Sequence, residues 1–347
     1  MRSPQTNTSA GNHPGKNILV TGGGGFLGSA IVRLLVAKGH RVTSFSRQRY
    51  PHLDTLGVKQ LRGDIGNAGA VKDAVRGQDA VFHVAAKAGV WGAAKEYFRI
   101  NVTGTRHVIT GCSSCRVPML IYTSSPSVVF DGGDMQGVDE SVPYPPRYHA
   151  PYPWTKAKAE RAVRAAADEN LRTITLRPHL IWGPGDNHLV PRITARADRL
   201  RQVGDGRNRV DTIYIDNAAK AHVLAMEALE NNPALSGQVY FISDDAPIRL
   251  WDMINRILVA GGKPAVKRRV SSKMAYVMAT LLEWGYRFFG IKNEPPMTRF
   301  VARELATAHW FDISAAKRDL GYSADISIDT GMQRLKAWLA ESAFPAQ

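Results

Sequence analysis

Between Asn17 and Ile242 the chain alternates short apolar runs with stretches that repeat apolar residues at helical spacing. Ile18-Leu19-Val20 is the first run, and Ile31, Leu34, Leu35 and Ala37 follow it at three- and four-residue intervals. A continuous apolar run bounded by turn residues predicts a buried strand, and the second spacing predicts a helix. The strand pattern returns at Arg41–Ser46, Lys59–Ile65, Asp79–Val84, Met119–Ser125, Thr173–Arg177 and Val239–Ile242. Helices are expected over Ala68–Val75, from about Lys95 to Ser114, from Pro151 onward, and from Asp216 as N-cap to about Leu229. Such alternation predicts an α/β protein with a doubly wound parallel sheet. After Ile242 the rhythm changes to helices and loops, which predicts a smaller C-terminal lobe.

Where the first strand ends, the chain reads Gly22-Gly23-Gly24-Gly25-Phe26-Leu27-Gly28. The spacing Gly22-x-x-Gly25-x-x-Gly28 suits a sharp turn, close approach of a pyrophosphate, and a helix packed tightly on its strand. The N–H groups and dipole of that helix supply the positive end a phosphate needs. The strand before and the helix after satisfy the context test for a dinucleotide site, hence an NAD(P)-binding Rossmann fold. At the end of the second strand, where an acidic residue marks NAD, stand Ser46 and Arg47. A hydroxyl and a guanidinium bind a ribose phosphate that a carboxylate would repel, so NADP(H) is favoured over NAD(H).

The domain reading places a disordered tail at 1–15, rich in Ser, Asn, Thr, Pro and Gly. The Rossmann domain takes 16–185 and 211–243, and the substrate-binding lobe takes 186–210 and 244–347. A hydrophobic fraction of 44% is that of an ordinary globular protein. The net charge of +15 favours anionic partners, yet it is dispersed apart from Lys267-Arg268-Arg269, which argues against a nucleic-acid module. Cys112 and Cys115 lie in a helical stretch without a second Cys/His pair, so they read as structural and no metal site is expected. The tail has no apolar core for a signal peptide, and no stretch is apolar enough to span a bilayer. The expected location is cytoplasmic, with a homodimer as the expected assembly.

Candidate chemistry centres on Tyr152 and Lys156, four residues apart on one face of the helix announced by Pro151 and Pro153. A nearby ammonium should lower the phenol's pKa and let Tyr152 exchange a proton with a carbonyl oxygen. Ser125, at the end of the fifth strand, should hold the same oxygen. Ala85-Ala86-Lys87-Ala88-Gly89-Val90-Trp91-Gly92 forms a small-residue loop at the carboxyl end of the sheet, where such folds bind ligands.

Together with Asp64-Ile65, His83-x-Ala85-Ala86, Asn101-x-x-Gly104-Thr105 and Arg177-Pro178, these motifs make residues 16–345 resemble the extended short-chain dehydrogenase/reductases. The resemblance implies a Ser125/Tyr152/Lys156 catalytic set, with Lys156 also on the nicotinamide ribose, Asp64-Ile65 at the adenine, and Asn101 keeping the active-site helix in register. The implied cofactor site is Gly22, Gly25, Phe26, Leu27, Gly28, Ser46, Arg47, Asp64, Ile65, Ala85, Ala86, Lys87, Tyr152, Lys156, Pro178 and His179. Trp91 and Ser127 are expected toward the substrate.

Tyr122-Thr123-Ser124-Ser125-Pro126-Ser127-Val128, the stretch Arg177–Asp186 and Tyr214-Ile215-Asp216-Asn217-Ala218 resemble the 3β-hydroxysteroid dehydrogenase branch. Two subgroups fit. Ser127–Gly132 is similar to sterol-4α-carboxylate 3-dehydrogenases, whereas Ala85–Gly92, Gly183–His188 and Thr298-Arg299-Phe300 are closer to bacterial 2-alkyl-3-oxoalkanoate reductases of olefin synthesis. Either subgroup implies ketone–alcohol interconversion on a lipid-like substrate, and the reductase is preferred. Sugar-nucleotide dehydratases of the superfamily usually carry Asp-Glu where this chain has Pro126-Ser127, and cofactor sensors often lose the tyrosine.

The run Met274–Leu282 lies in a predicted helix, Ser271–Gly290, too short to cross a bilayer. Basic residues flank it and Trp284, Tyr286, Phe288 and Phe289 follow, so it is expected to wall the substrate cleft. Residues 267–292 are also expected to make the protein peripheral to anionic lipid or to a pathway enzyme.

Overall fold

The computed structural model describes residues 15–343, so all of the expected N-terminal tail except Gly15 lies outside the described residues. Seven strands form one sheet: β1 (Asn17–Thr21), β2 (Arg41–Ser46), β3 (Lys59–Arg62), β4 (Ala80–His83), β5 (Met119–Thr123), β6 (Arg172–Pro178) and β7 (Gln238–Ile242). Their order is β7-β6-β5-β4-β1-β2-β3 and every pairing is parallel, the doubly wound arrangement the alternation predicts. Successive side chains of β1 serve two cores: Ile18 and Val20 join one apolar cluster, and Leu19 the other. Helices cover both faces, so the central strands β1, β4 and β5 are buried almost throughout, whereas the edge strand β3 (Lys59-Gln60-Leu61-Arg62) is not. On one side lie α1 (Phe26–Ala37) and the helix Ile215–Asn231; on the other lie α2 (Ala68–Val75) and α3 (Gly104–Cys115). Cys112 sits in the second core, and burial pushes its thiol up to about 12.

Three local expectations change. The helix expected from Lys95 to Ser114 contains a π-helical turn, Phe98–Thr103, between two α-helical pieces. That turn buries Asn101, whose amide finds tertiary partners described below. Asp216 is not the N-cap of its helix. Tyr214 takes that position, its N–H held by the Asp244 carboxylate, and Asp216 lies in the first turn facing Arg334. The C-terminal lobe is also not only helices and loops. A four-stranded sheet runs Ile248–Arg249, Arg209–Val210, His309–Phe311 and Met135–Val138. Its last strand comes from inside the stretch assigned to the Rossmann domain, so the chain crosses between the two sheets there. No helix among the described residues is long and apolar enough to cross a membrane.

Candidate active site

The carboxyl ends of β1, β2, β4, β5 and β6 open into a cleft of about 590 Å³, a size suited to a bound small molecule. The glycine turn forms its floor. Gly22 has φ +71°, and a Cβ there would come within 3.0 Å of the Ala85 backbone. A Cβ on Gly28 would lie 2.1 Å from the Gly22 carbonyl oxygen, so only glycine lets α1 seat on the turn. Gly25 caps α1 without a side chain, and Gly25, Phe26, Leu27 and Gly28 line the cleft. The first-turn N–H groups of α1 are therefore available to an anion.

A row of buried hydrogen bonds ties this floor to the next loop. The Thr21 hydroxyl lies 2.7 Å from His83 Nδ1 and accepts the Ala85 N–H at 3.2 Å. On the far side of the ring, His83 Nε2 is 2.9 Å from the Thr105 hydroxyl, which donates to the Asn101 carbonyl at 2.7 Å. Burial holds the His83 pKa down to about 3, so the ring stays neutral and acts as a spacer. The Asn101 side chain clamps Lys87, accepting its N–H at 2.7 Å and donating to its carbonyl at 3.1 Å. It also donates to the Thr155 hydroxyl at 3.1 Å, next to Lys156. The π-helical turn thus joins the loop after β4 to α4 (Pro151–Ala165).

Ser125, Tyr152 and Lys156 meet in the cleft. Pro151 and Pro153 occupy the first turn of α4, where a missing N–H costs nothing, and they put Tyr152 at its mouth. Tyr152 and Ser125 line the cleft together, and Ser125 Oγ lies 2.9 Å from Ser127 Oγ. The expected lowering of the phenol pKa is not what this geometry gives. Burial raises it, the neighbouring Ser125 hydroxyl opposes that only partly, and Lys156 is aimed elsewhere. Its ammonium donates to the Thr123 carbonyl at 2.5 Å and lies 4.2 Å from the centre of the Tyr122 ring. Burial lowers the Lys156 pKa to about 7, and Glu160, one turn on, opposes the shift. Tyr152 is consequently a neutral phenol, ready to donate a proton.

The remaining candidates divide. Ser46, Arg47, Asp64, Ile65, Ala85, Ala86, Lys87 and Pro178 line the cleft. The Ser46 hydroxyl is buried without a partner, and Asp64 is held by the Gly66 N–H at 2.8 Å and by Arg99 at 2.9 Å. His179 does not line it: the ring packs edge-on against His309 and Phe311, and burial keeps it neutral. The left-handed backbone of Leu180, φ +45°, turns the chain so that Leu180 and Ile181 line the cleft instead. Ser127 reaches the site through Ser125, whereas Trp91 does not line the cleft and lies edge-on to Tyr286 at 6.3 Å. Leu281, expected to wall the cleft, is 64 % exposed on the outer surface.

The sequence reading missed Tyr50, whose ring lies where a Gly24 Cβ would be. It also missed Glu160, although its spacing of four from Lys156 is a legible helical signal. Behind the site Glu160 is paired with Arg177 at 2.5 Å, both fully buried. Glu304, at the end of α7 when the C-terminal helices α5 (Leu250–Ala260), α6 (Ser272–Phe288) and α7 (Arg299–Glu304) are taken in order, gave no sequence signal. Its charge acts on Tyr152, and burial pushes its own pKa to about 8.

A glycine cradle that admits no Cβ, an unpartnered buried hydroxyl at the end of β2, and a serine–tyrosine hydroxyl pair fit a nicotinamide dinucleotide and a carbonyl substrate. This fold and site define a Rossmann-type oxidoreductase. Residues 19–270 match the 3-beta hydroxysteroid dehydrogenase/isomerase family. The chain is 50% identical over 325 residues to a 2-alkyl-3-oxoalkanoate reductase of Stenotrophomonas maltophilia (strain K279a), covering 92% of this chain and 98% of that protein. It is 34% identical over 326 residues to the decarboxylating sterol-4-alpha-carboxylate 3-dehydrogenase of Mus musculus, covering 92% and 90%. The solved structure of MoeE5 with UDP-glucose and NAD superposes with a TM-score of 0.72 at 24% identity, covering 94% of this chain and all of that one, a likeness of fold. The chain belongs to the 3-beta hydroxysteroid dehydrogenase/isomerase family, and with it to the NAD(P)-dependent oxidoreductases acting on CH–OH groups.

Glu304 gives this site a pH signature. Once ionised, above about pH 8, its carboxylate raises the Tyr152 pKa and opposes the phenolate needed to oxidise an alcohol. Glu304→Gln should therefore move the rise of alcohol oxidation with pH to lower pH. A pH–rate profile measures this, and an unmoved limb would show that the Glu304 charge does not act on Tyr152.

Proposed function

We propose that this chain reduces the 3-oxo group of a 2-alkyl-3-oxoalkanoate to the secondary alcohol, with NADPH as its cofactor. The Ser125–Tyr152 hydroxyl pair in the dinucleotide cleft carries the reading, and identity to the Stenotrophomonas reductase supports the substrate class. When bound, the cofactor supplies the hydride. The Gly22–Gly28 turn and the first turn of α1 would hold its pyrophosphate, Asp64 and Ile65 the adenine, and Lys156 the nicotinamide ribose. Ser125 orients the substrate's carbonyl oxygen, and Tyr152 gives that oxygen its proton. The raised phenol pKa keeps this proton in place at neutral pH and so favours reduction. Phe26, Leu180 and Ile181 offer apolar wall to an alkyl chain.

NADPH is favoured by Ser46 and Arg47 in the cleft, with no carboxylate at the end of β2. Arg47→Asp removes a charge-assisted contact and adds repulsion, which should weaken NADPH binding roughly 10–100-fold and reverse the preference. Tighter binding of NADH than NADPH by the unaltered chain would contradict this. The activity itself is tested by turnover of a 2-alkyl-3-oxo acid, a 4-carboxysterol and a nucleotide sugar, each with both cofactors. Turnover of the 4-carboxysterol alone would replace the proposal with the sterol reading.

A further inference from the structure

Helix α6 wears its faces in reverse. Ala275, Ala279 and Glu283, four residues apart, form its buried side. Met274, Val277, Met278, Leu281, Trp284 and Phe288 face solvent, each 52–70 % exposed. A surface helix in water does the opposite, turning its large apolar side chains to the core. The inner side is fixed by polar bonds instead: Glu283 accepts the Arg299 N–H at 2.7 Å and its Nε–H at 3.0 Å, binding α6 to α7. Among the described residues every exposed large hydrophobic side chain except Val259 lies between Met274 and Ile291. The spacing forms one stripe, roughly 20 Å long at the helical rise. Such concentration of exposed apolar surface marks an interaction site.

The charges around it select the partner. Lys267, Arg268, Arg269 and Lys273 stand exposed at one end, Arg287 and Lys292 at the other. The only acidic residue between Lys267 and Lys292 is Glu283, which faces inward. Trp284 stacks on Phe288 at 5.4 Å and Phe288 meets Phe289 edge-on at 5.1 Å, an aromatic cluster of the kind found at membrane interfaces. A second copy of the chain docked here would set two basic rims against each other.

We propose that α6 is a docking surface for an anionic lipid bilayer, lying in the membrane plane with its stripe among the acyl chains and its basic rim at the headgroups. Docking has a consequence for the cleft. Tyr286 and Arg287 pack on the Trp91 ring, with the guanidinium 5.5 Å from its centre, and the loop ending at Trp91 begins at Ala85 in the cofactor cleft. The bilayer would then lie beside the mouth through which a lipid-like substrate enters, a consequence that rests on the proposed activity. The docking itself does not.

Sedimentation of the full-length protein with vesicles tests the proposal without any turnover. The chain should sediment with phosphatidylcholine vesicles containing phosphatidylglycerol, far less with phosphatidylcholine alone, and less in high salt. Lys267→Glu, Arg268→Glu and Arg269→Glu together should lower partition roughly a hundredfold or more, at about fivefold per basic residue. Leu281→Ser, Trp284→Ser and Phe288→Ser together should abolish it while reduction of a short-chain substrate is unchanged, because these side chains are exposed and belong to neither apolar core. Equal recovery with neutral and anionic vesicles, or recovery indifferent to charge reversal, would overturn it. So would failure to sediment with either vesicle. If sedimentation velocity showed the serine variant dissociating a dimer that does not bind vesicles, the stripe would instead belong to a second copy, which also overturns the proposal.

Discussion

Tyr152→Phe is expected to bind the dinucleotide as the unaltered chain does and to lose about 10²–10⁴-fold in turnover, the range for a positioned acid or base. The substitution deletes one hydroxyl and leaves the ring in place at the mouth of α4. The lost atom is the hydroxyl that shares the cleft with Ser125, so the variant keeps a cradle for the carbonyl oxygen but has no proton to give. Cofactor titration and steady-state turnover on the same preparation separate binding from chemistry. Retention of a third of the activity would remove Tyr152 from the acid–base role.

The second large effect is expected in stability. Arg177 and Glu160 form an ion pair at 2.5 Å with almost no exposure, and Glu160 also accepts from Tyr144 at 2.6 Å and from Ser124. Breaking a buried pair leaves one charge without its counter-ion, which costs about 3–5 kcal/mol. Arg177→Met should thus lower stability toward urea by about that amount. Replacing both residues with leucine should cost less than the sum of the single changes. A loss below about 1 kcal/mol, the value for an exposed pair, would show the site to be hydrated. The pair also touches the chemistry, because the Glu160 charge sustains the ammonium of Lys156. Without it, more of the Lys156 population is neutral near pH 7 and less charge faces the end of β5.

The parallel sheet was legible because its causes are local. Central strands buried on both faces are mostly apolar, and a turn on which a helix sits directly must be glycine, as Gly28 shows. The placement of Ser125 and Tyr152 in one cleft followed from strand-end and helix-start signals. What stayed hidden depends on tertiary partners. His309–Phe311 and Met135–Val138 are too short to show a period and exist because each pairs with a segment far away in the chain. The π-helical turn answers the buried Asn101 amide, and the orientation of His179 follows from the left-handed Leu180 next to it. An apolar run at Met274–Leu282 was visible, but a run does not say which face meets water. The buried small residues of α6 settle that.

Hydride delivery to a 3-oxo group beside an alkyl branch is tested by incubating the protein with a 2-alkyl-3-oxo acid and NADPH deuterated at the transferable position. Mass spectrometry should find a 2-alkyl-3-hydroxy acid with deuterium on the carbon that bears the new hydroxyl. Absence of that alcohol, or an alcohol without the label, would contradict the claim.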